Sequence, residues 1–433
     1  MAGIYVHIPF CKSRCIYCDF YSTTRSAADR AAFVDALCEE LAARRGELPA
    51  GSREKVGSSA TKVGSNATKV GSSATKVGRL ATKVGSSATN CATDPAAPAT
   101  DLRATADSTV RTVYFGGGTP SWLGAEAIGR ILREIIGLYR PADGAEITLE
   151  ANPDDITPAF ARTVRAAGFN RVSLGIQTFD DRLLRLVGRR HTALEARRAV
   201  ATLAEAGLEN LSVDLIYGLP GQSIEAWRRD VQTALALPVS HLSAYSLTYE
   251  PGTRLTALRD RGLLREAGDE LSAAMYEALA DMTAAAGFVH YEISNFARPG
   301  RRSRHNSSYW DGTPYLGFGP GAHSYDGARR RRSNDADLAA YLAAPGRPPH
   351  SVEVLTDDER CDERVFTALR TRDGLDMERL ARDFGRGHAD RVAAAARRYV
   401  AGGLLRLDGA CLALTRRGVF LSDMIMADLM ADT

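Results

Sequence analysis

The stretch that decides the fold is YVHIPFCKSRCIYC, residues 5–18, in which an apolar run leads into three closely spaced cysteines. Cys11, Cys15 and Cys18 follow the spacing C-x3-C-x2-C and are three of the seven cysteines of the chain. Thiols gathered this closely indicate a metal site. Structural zinc is one possibility, although zinc sites usually combine two separated pairs of ligands. Three thiolates on a four-iron cube would instead leave one iron open to a second molecule.

Length and composition describe an ordinary globular chain. Its 433 residues carry a formal net charge of +3, with 45% hydrophobic and 25% charged residues. So weak a net charge argues against a protein whose main task is to bind nucleic acid. No apolar run is long enough for a membrane-spanning helix, and the first ten residues do not have the pattern of a signal peptide. We therefore expect a cytoplasmic protein whose thiols stay reduced.

Short runs rich in Val, Ile and Tyr alternate with helical patterns up to about residue 250. This alternation predicts an α/β fold built from parallel βαβ units. The expected strands are Ile4–Ile8, Thr112–Phe115, Glu146–Glu150, Arg171–Ile176, Leu211–Tyr217 and His241–Leu247. The expected helices include Ala27–Arg45, Ala125–Tyr139, Pro158–Ala167, Thr192–Ala206 and Ile224–Ala236.

Polar or glycine-rich residues follow five successive strands of this pattern. The cysteines follow the first strand, GGGTP (116–120) the second and Glu150 ends the third. The fourth strand ends at Gln177, and the fifth contains Asp214 and ends at YGLPG (217–221). Because parallel strands bring their carboxyl ends to one edge, we expect a single rim lined with ligand-binding groups.

Two segments break this pattern. Residues 51–100 contain a seven-residue unit close to KVGSSAT five times. This composition is too poor in large apolar side chains to form a core, so we expect a flexible insertion. Residues 335–433 predict a small helical, winged-helix-like domain, whose mixed charges favour packing on the first domain over nucleic-acid binding. Its expected elements are Asp357–Arg370, Met377–Phe384, Asp390–Ala401, a hairpin over Leu404–Leu414, and Arg416–Leu429.

The spacing of Cys11, Cys15 and Cys18 resembles the signature of the radical S-adenosylmethionine (SAM) superfamily. That resemblance implies a partial (β/α)6 barrel, here residues 1–50 and 101–325, and a [4Fe-4S] cluster whose open iron binds SAM. One electron, which an outside donor supplies to the cluster, would cleave SAM to methionine and a 5′-deoxyadenosyl radical. The cofactors would carry this chemistry, and the protein would supply position and shielding.

Longer strings narrow the resemblance. Residues 5–11, 116–120, 170–177, 214–220 and 296–299 are similar to the oxygen-independent coproporphyrinogen III oxidase group. The similarity spans nearly the whole chain outside residues 51–100. Ion pairs on the rim are the alternative roles for Glu150, Arg189 and Asp214. The SAM contacts that the resemblance implies are Tyr5, Tyr17, Gly117, Gly118, Thr119, Glu150, Gln177, Arg189 and Asp214.

Two branches of that group differ in function. The oxidases carry a further cysteine two residues after the third ligand and a longer segment before the cluster. This chain has Phe20 at that position, and its cysteine motif starts at residue 11, as in the haem-chaperone branch. It also shares with that branch the motif H-N-x-x-Y-W at 305–310 and the run at 316–324. The resemblance thus favours a protein that binds haem and passes it to haem-accepting apoproteins such as respiratory enzymes. The alternative is the oxidative decarboxylation of coproporphyrinogen III to protoporphyrinogen IX.

The residue that ligates haem is left open by the sequence. His305, with Tyr309 and Trp310 nearby, is a candidate because imidazole ligates iron and flat rings pack on a porphyrin. A structural hydrogen-bonding role is the alternative for His305 and also for His323. The four arginines at 329–332 either pair with haem propionates or form a solvated basic turn.

Overall fold

The computed structural model describes residues 2–47 and 109–430. The repeat-containing segment 51–100, expected to be flexible, lies outside the described residues. A sheet forms the centre of the fold, and its first six strands are parallel and neighbour one another in sequence order. All six expected strands are confirmed. They are β1 (Ala2–Ile8), β2 (Val110–Gly117), β3 (Glu146–Ala151), β4 (Arg171–Gln177), β5 (Asn210–Tyr217) and β6 (His241–Ser246).

Helices follow the strands and pack on the sheet through one continuous apolar core. The five expected helices agree with the structure to within two residues at each end. Local signals explain where several begin, since Ser26 with Asp29 and Thr192 with Glu195 form capping boxes at two helix starts. The helices are α1 (Ala27–Ala43), α2 (Ala125–Tyr139), α3 (Pro158–Ala167), α4 (Asp181–Leu186), α5 (Ala193–Glu205) and α6 (Ile224–Ala236).

The sheet continues beyond the six predicted strands on both sides. Sequence reasoning missed this extension because its strands are short and lack apolar alternation. The added elements are α7 (Arg254–Asp260), α8 (Asp269–Ala285), β7 (Val289–Glu292), β8 (Asn295–Ala297), α9 (Arg304–Asp311), β9 (Tyr315–Phe318), β10 (His323–Tyr325), β11 (Arg330–Asn334), α10 (Leu338–Ala343) and β12 (His350–Val354). The strand order is β12-β11-β10-β9-β1-β2-β3-β4-β5-β6-β8-β7. The sheet therefore extends past residue 335, where the sequence pattern placed the start of the C-terminal domain, and we propose a boundary near residue 355.

The remaining residues form a smaller unit with its own apolar core. The expected hairpin is present, and the expected element Arg416–Leu429 consists of two short helices. No helix of the described residues is both long and apolar enough to cross a membrane. The elements are α11 (Asp357–Leu369), β13 (Leu375–Asp376), α12 (Met377–Phe384), α13 (Arg386–Ala401), β14 (Leu405–Asp408), β15 (Cys411–Leu414), α14 (Arg416–Val419) and α15 (Ser422–Leu429).

Strand β1 occupies a central position that matters for the site. It pairs in parallel with β2 on one side and with β9 on the other. Ile4, Val6 and Ile8 are fully buried in the core, and the alternate residues Tyr5 and His7 point to the other face of the sheet. The loop that carries the cysteines therefore begins at the carboxyl end of a strand in the middle of the sheet.

Candidate cofactor site at the carboxyl ends of the strands

The loop that carries the cysteines is fixed to the fold at several points. Cys11 N donates to the Thr23 carbonyl at 2.9 Å, and Thr23 N donates to the Pro9 carbonyl at 2.7 Å, which closes the base of the loop. Ile16, inside the loop, donates to the Val187 carbonyl at 3.2 Å. The Cys11 residue is buried and the other two cysteines are half-buried. The loop thus holds three thiols near the rim of the sheet.

The glycine-rich segment after β2 packs directly against this loop. Gly117 has φ +113, a conformation that favours glycine, and a side chain there would meet the His7 ring at 2.8 Å. A Cβ at Gly118 would lie 2.7 Å from the Phe10 carbonyl oxygen and 3.1 Å from Cys11 Sγ. Thr119 N donates to the same Phe10 carbonyl at 2.7 Å. Glycine is therefore required here because backbone and thiol approach one another so closely.

A chain of side-chain contacts connects two of the thiols. Thr119 Oγ1 lies 3.4 Å from Cys11 Sγ and accepts a hydrogen bond from Asn152 Nδ2 at 3.3 Å. The other end of the same amide, Asn152 Oδ1, accepts from Arg189 Nη2 at 2.7 Å. Arg189 Nη1 in turn donates to Cys15 Sγ at 3.5 Å. One amide thus links the surroundings of Cys11 and Cys15.

The chemistry of the thiols fits an iron–sulfur cluster. Burial raises the pKa of Cys11, and it raises the pKa of Cys18 to about 11, with the neighbouring thiols adding to both shifts. Thiols of this kind lose their protons when a metal binds them. Among residues 2–47 and 109–430, no three His, Cys, Asp or Glu side chains are gathered tightly enough for a single metal ion. A four-iron cubane does not need its ligands gathered around one point, because each thiolate binds a separate iron.

Polar groups beneath Gly116 form the next part of the site. Tyr114 OH donates to Glu150 Oε1 at 2.7 Å, and the rings of Tyr5 and Tyr114 are stacked with centroids 6.2 Å apart. A Cβ at Gly116 would lie 3.0 Å from the Tyr5 ring and 3.2 Å from Glu150 Oε1, so these groups share one space. Burial, with a smaller contribution from the charge of Asp214, raises the pKa of Glu150 to about 7. Near neutral pH this carboxyl group can therefore both donate and accept hydrogen bonds.

Other residues that the sequence singled out lie on the same rim. Gln177 has φ +73 at an irregularity in the pairing of β4 with β5, a strained conformation for a residue with a side chain. Ser173 Oγ donates to Asp214 Oδ1 at 3.1 Å, and burial raises the pKa of Asp214. Tyr17 packs on an apolar cluster that includes Leu183 and Val187. The structure thus brings together the expected groups from β1 to β5.

His305 lies inside the barrel and both of its ring nitrogens have partners. Nδ1 is 2.8 Å from Thr112 Oγ1 and Nε2 is 2.9 Å from Tyr309 OH. The residue is 1% exposed, and its ring is stacked on Tyr114 at 5.0 Å. Burial lowers the pKa of His305 to about 3, so the ring stays neutral. Ligation of iron by His305 would require one of these two bonds to break, whereas the structural role that the sequence left open matches the contacts.

Two functional groups were missed by the sequence analysis. Asn152 stands two residues after Glu150 at the same strand end, so its position was visible, but its partners come from other strands. Tyr114 lies within an apolar strand, and only the register of β2 with β3 brings it near Glu150. Proximity to an expected site residue is the signal that could have marked Asn152.

Comparison with known families agrees with this fold. The model of the Radical SAM superfamily matches residues 93–234, after the cysteine motif, and that of the HemN C-terminal domain matches residues 355–421. A solved structure, described as coproporphyrinogen III oxidase (HemN) from Escherichia coli, a radical SAM enzyme, covers 100% of this chain and 90% of its own with a TM-score of 0.74. At 21% identity this likeness concerns the fold. The fold is that of the radical SAM class.

Curated relatives identify the family within this class. Heme chaperone HemW of Mycobacterium tuberculosis is 35% identical over 435 residues, 99% of this chain and 94% of that protein. Heme chaperone HemW of Bacillus subtilis is 30% identical over 438 residues, 100% of each chain. The chain belongs to the HemW family. The expected resemblance to the chaperone branch is thereby confirmed.

Proposed function

We propose that this protein is a haem chaperone, which binds haem and transfers it to haem-accepting apoproteins. The observation that carries the proposal is the similarity, over nearly the whole chain, to proteins named heme chaperone HemW. Phe20, which stands where the oxidases carry a further cysteine, is 66% exposed beside the thiol loop and supports the same conclusion. A structural, non-ligating role for His305 belongs to the proposal, because both of its ring nitrogens already have partners.

Three thiols, Cys11, Cys15 and Cys18, are the proposed ligands of a [4Fe-4S] cluster. When bound, the cluster supplies one electron for the cleavage of SAM, and it depends on an outside electron donor. The chain itself supplies the loop anchored by Thr23 and the polar contacts to two of the sulfurs, and such contacts orient ligands and tune a metal site. The six cysteines among the described residues are free thiols, in keeping with a proposed location in the reducing cytoplasm.

The proposed SAM site lies on the rim next to the cluster. Gly117, Gly118 and Thr119 present backbone groups at the closest approach to the loop, and they suit the amino group of SAM. Glu150 suits the ribose hydroxyls because its carboxyl group is buried and already accepts one hydrogen bond. Arg189, next to Cys15, suits a carboxylate. Tyr5, Tyr17, Gln177 and Asp214 complete the proposed set on the same rim.

A haemin titration beside a coproporphyrinogen assay tests this function. Both are run anaerobically on one sample of reconstituted protein with its cluster loaded. We expect a stoichiometric haem complex with a shifted Soret band and no protoporphyrinogen. Turnover of coproporphyrinogen without a haem complex would establish the oxidase function instead, for which the present support is the shared fold.

A further inference from the structure

The eight histidines of the chain differ in how accessible they are to a ligand. All eight lie within the described residues, and His350 is the one that is exposed. His7, His241 and His305 each have partners on both ring nitrogens inside the fold. A haem-binding imidazole that must also release its haem to another protein has to be reachable from solvent. His350 meets this condition.

The ring of His350 is also held in the orientation that ligation requires. Nδ1 lies 3.0 Å from the carbonyl oxygen of Pro348, and since a carbonyl only accepts, Nδ1 carries the proton. The lone pair of the neutral ring is then on Nε2. Metal-bound histidines almost always donate their other ring N–H to a carbonyl, a carboxylate or water in this way.

Two apolar side chains lie on the same face of the strand. His350, Val352 and Val354 alternate along β12, so their side chains point to one side. Val352 is 47% exposed and Val354 is 59% exposed, although both are large apolar residues. Strand β12 is the last strand at its end of the sheet. The imidazole is therefore continuous with an open apolar strip at a sheet edge.

Two arginines border this strip. In the antiparallel register of β11 with β12, Arg332 pairs with Val352 and Arg330 pairs with Val354, so all four side chains share a face. Arg330 is exposed and has no ion pair within the described residues. Arg332 is held within the fold, because its side chain is 19% exposed, its Nε donates to Asn334 Oδ1 at 3.2 Å and its Nη1 lies 3.7 Å from Glu47. Guanidinium groups bind carboxylates with two parallel hydrogen bonds.

The remaining two arginines of the run 329–332 do not belong to this face. Arg329 Nη2 pairs with Asp357 at 2.6 Å, and Arg331 Nη2 pairs with Glu363 at 2.7 Å. Both acids lie on α11, so these two arginines fasten the sheet to the C-terminal unit. Arg332 is held by Asn334 and Glu47, so within the described residues Arg330 is the arginine of this run that is left for a ligand.

The geometry points to the face formed by His350, Val352, Val354, Arg330 and Arg332 as a shallow haem site. Its parts match haem in order: an imidazole for the iron, apolar side chains for the macrocycle, and the exposed guanidinium of Arg330 for a propionate, with Arg332 beside it. The inference rests on the proposed chaperone function and deepens it. A deep pocket buries most of its ligand, whereas an edge site leaves one face of the porphyrin open to an acceptor.

Titration of the full-length protein with haemin tests the site through the Soret band and the EPR spectrum of the ferric haem. We expect His350→Ala to lose the imidazole signature and to weaken binding by roughly tenfold or more. The variant Arg330→Ala is expected to weaken binding and keep the signature. His388→Ala is the matched control, because His388 is half-exposed and its Nε2 is paired with Asp358 at 2.8 Å. This control is expected to bind haemin as the unaltered protein does.

Four results separate the possibilities. Unaltered binding by His350→Ala, or loss of binding by a folded His305→Ala variant, would overturn the site and leave the chaperone function standing. Absence of any haem complex with the unaltered protein would overturn the function itself. A Val352→Asp variant that turns a dimer into a monomer without affecting haem binding would show that a second copy covers this strand, and would also overturn the site.

Discussion

Asn152 and Arg189 are joined by a 2.7 Å hydrogen bond from Nη2 to Oδ1, and through it the environments of two cysteines are coupled. Neither partner is near the other in sequence. Asn152 follows β3, whereas Arg189 follows α4, and the parallel sheet brings the two connections together. The thiols are therefore positioned by contacts that span several strands, and not by the loop alone.

Replacement of Asn152 by Ala is expected to loosen the cluster. The variant loses both amide contacts, so the side chains of Thr119 and Arg189 are each held against the two sulfurs by one contact fewer. Groups of this kind typically contribute 10–100-fold to metal affinity, and we expect iron to pass to a chelator roughly tenfold faster. Asn210→Ala is the control. Asn210 lies at the amino end of β5, away from the site, and its side chain also accepts a hydrogen bond, from Ser240 Oγ. Equal rates of iron loss in both variants would contradict the coupling.

Replacement of any one of Cys11, Cys15 or Cys18 by Ala is expected to abolish the cluster. The remaining two thiols cannot hold three irons of a cubane. The measurement is iron and labile sulfide per chain, together with the absorption near ~400 nm of the anaerobically reconstituted protein. Cys38→Ala, a change on α1, should keep full iron and sulfide. Loss of iron in that control as well would indicate a general failure of folding.

Gly118→Ala is expected to destabilise the protein and to displace the thiol loop. Its Cβ would lie 2.7 Å from the Phe10 carbonyl oxygen, and overpacking of this kind costs about 1–3 kcal/mol. Gly137→Ala offers a matched control, since nothing lies within 4 Å of its added Cβ and it stands inside α2. That change should stabilise by about 0.5–1 kcal/mol. Denaturant unfolding measures both, and similar values for the two variants would contradict the close packing.

The carboxyl group of Glu150 makes stability depend on pH. Burial raises its pKa from 4.5 to about 7, so the folded state binds this proton more tightly than the unfolded state does. The free energy of unfolding therefore falls as pH rises from about 4.5 to about 7, and this group adds no further change outside that window. Glu150→Gln removes the dependence, and the free energy of unfolding of this variant relative to the unaltered protein should rise across the window by roughly 3 kcal/mol. Parallel pH curves in denaturant would contradict the assignment.

The parts of the fold that the sequence predicted are those with strong local signals. β1 to β6 contain apolar runs bounded by turns, and helices such as α3, with Thr157 and Pro158 at its start, carry their own boundaries. β11, with the sequence RRRSN, has no such pattern and forms a strand because β10 and β12 pair with it. The extent of the sheet was therefore not visible in the sequence.

The candidate site divides in a similar way. Cys11, Gly118 and Glu150 carry chemistry that is recognisable one residue at a time, and each lies at or just after the carboxyl end of a strand. The contacts of Asn152 depend on register and on loops far apart in the chain. For His305, the neighbouring aromatic residues suggested haem, whereas the buried hydrogen bonds to Thr112 and Tyr309 became visible only in the structure.

The pairing of β1 with β9 sets the order of events during synthesis. Gly3 pairs with Tyr315, about 310 residues later in the chain. Both edges of β1 are therefore covered only after β9 has been translated. Until then the cysteine loop follows a strand that is paired on one edge at most. We accordingly expect the proposed cluster to be assembled only after Tyr315 has been translated.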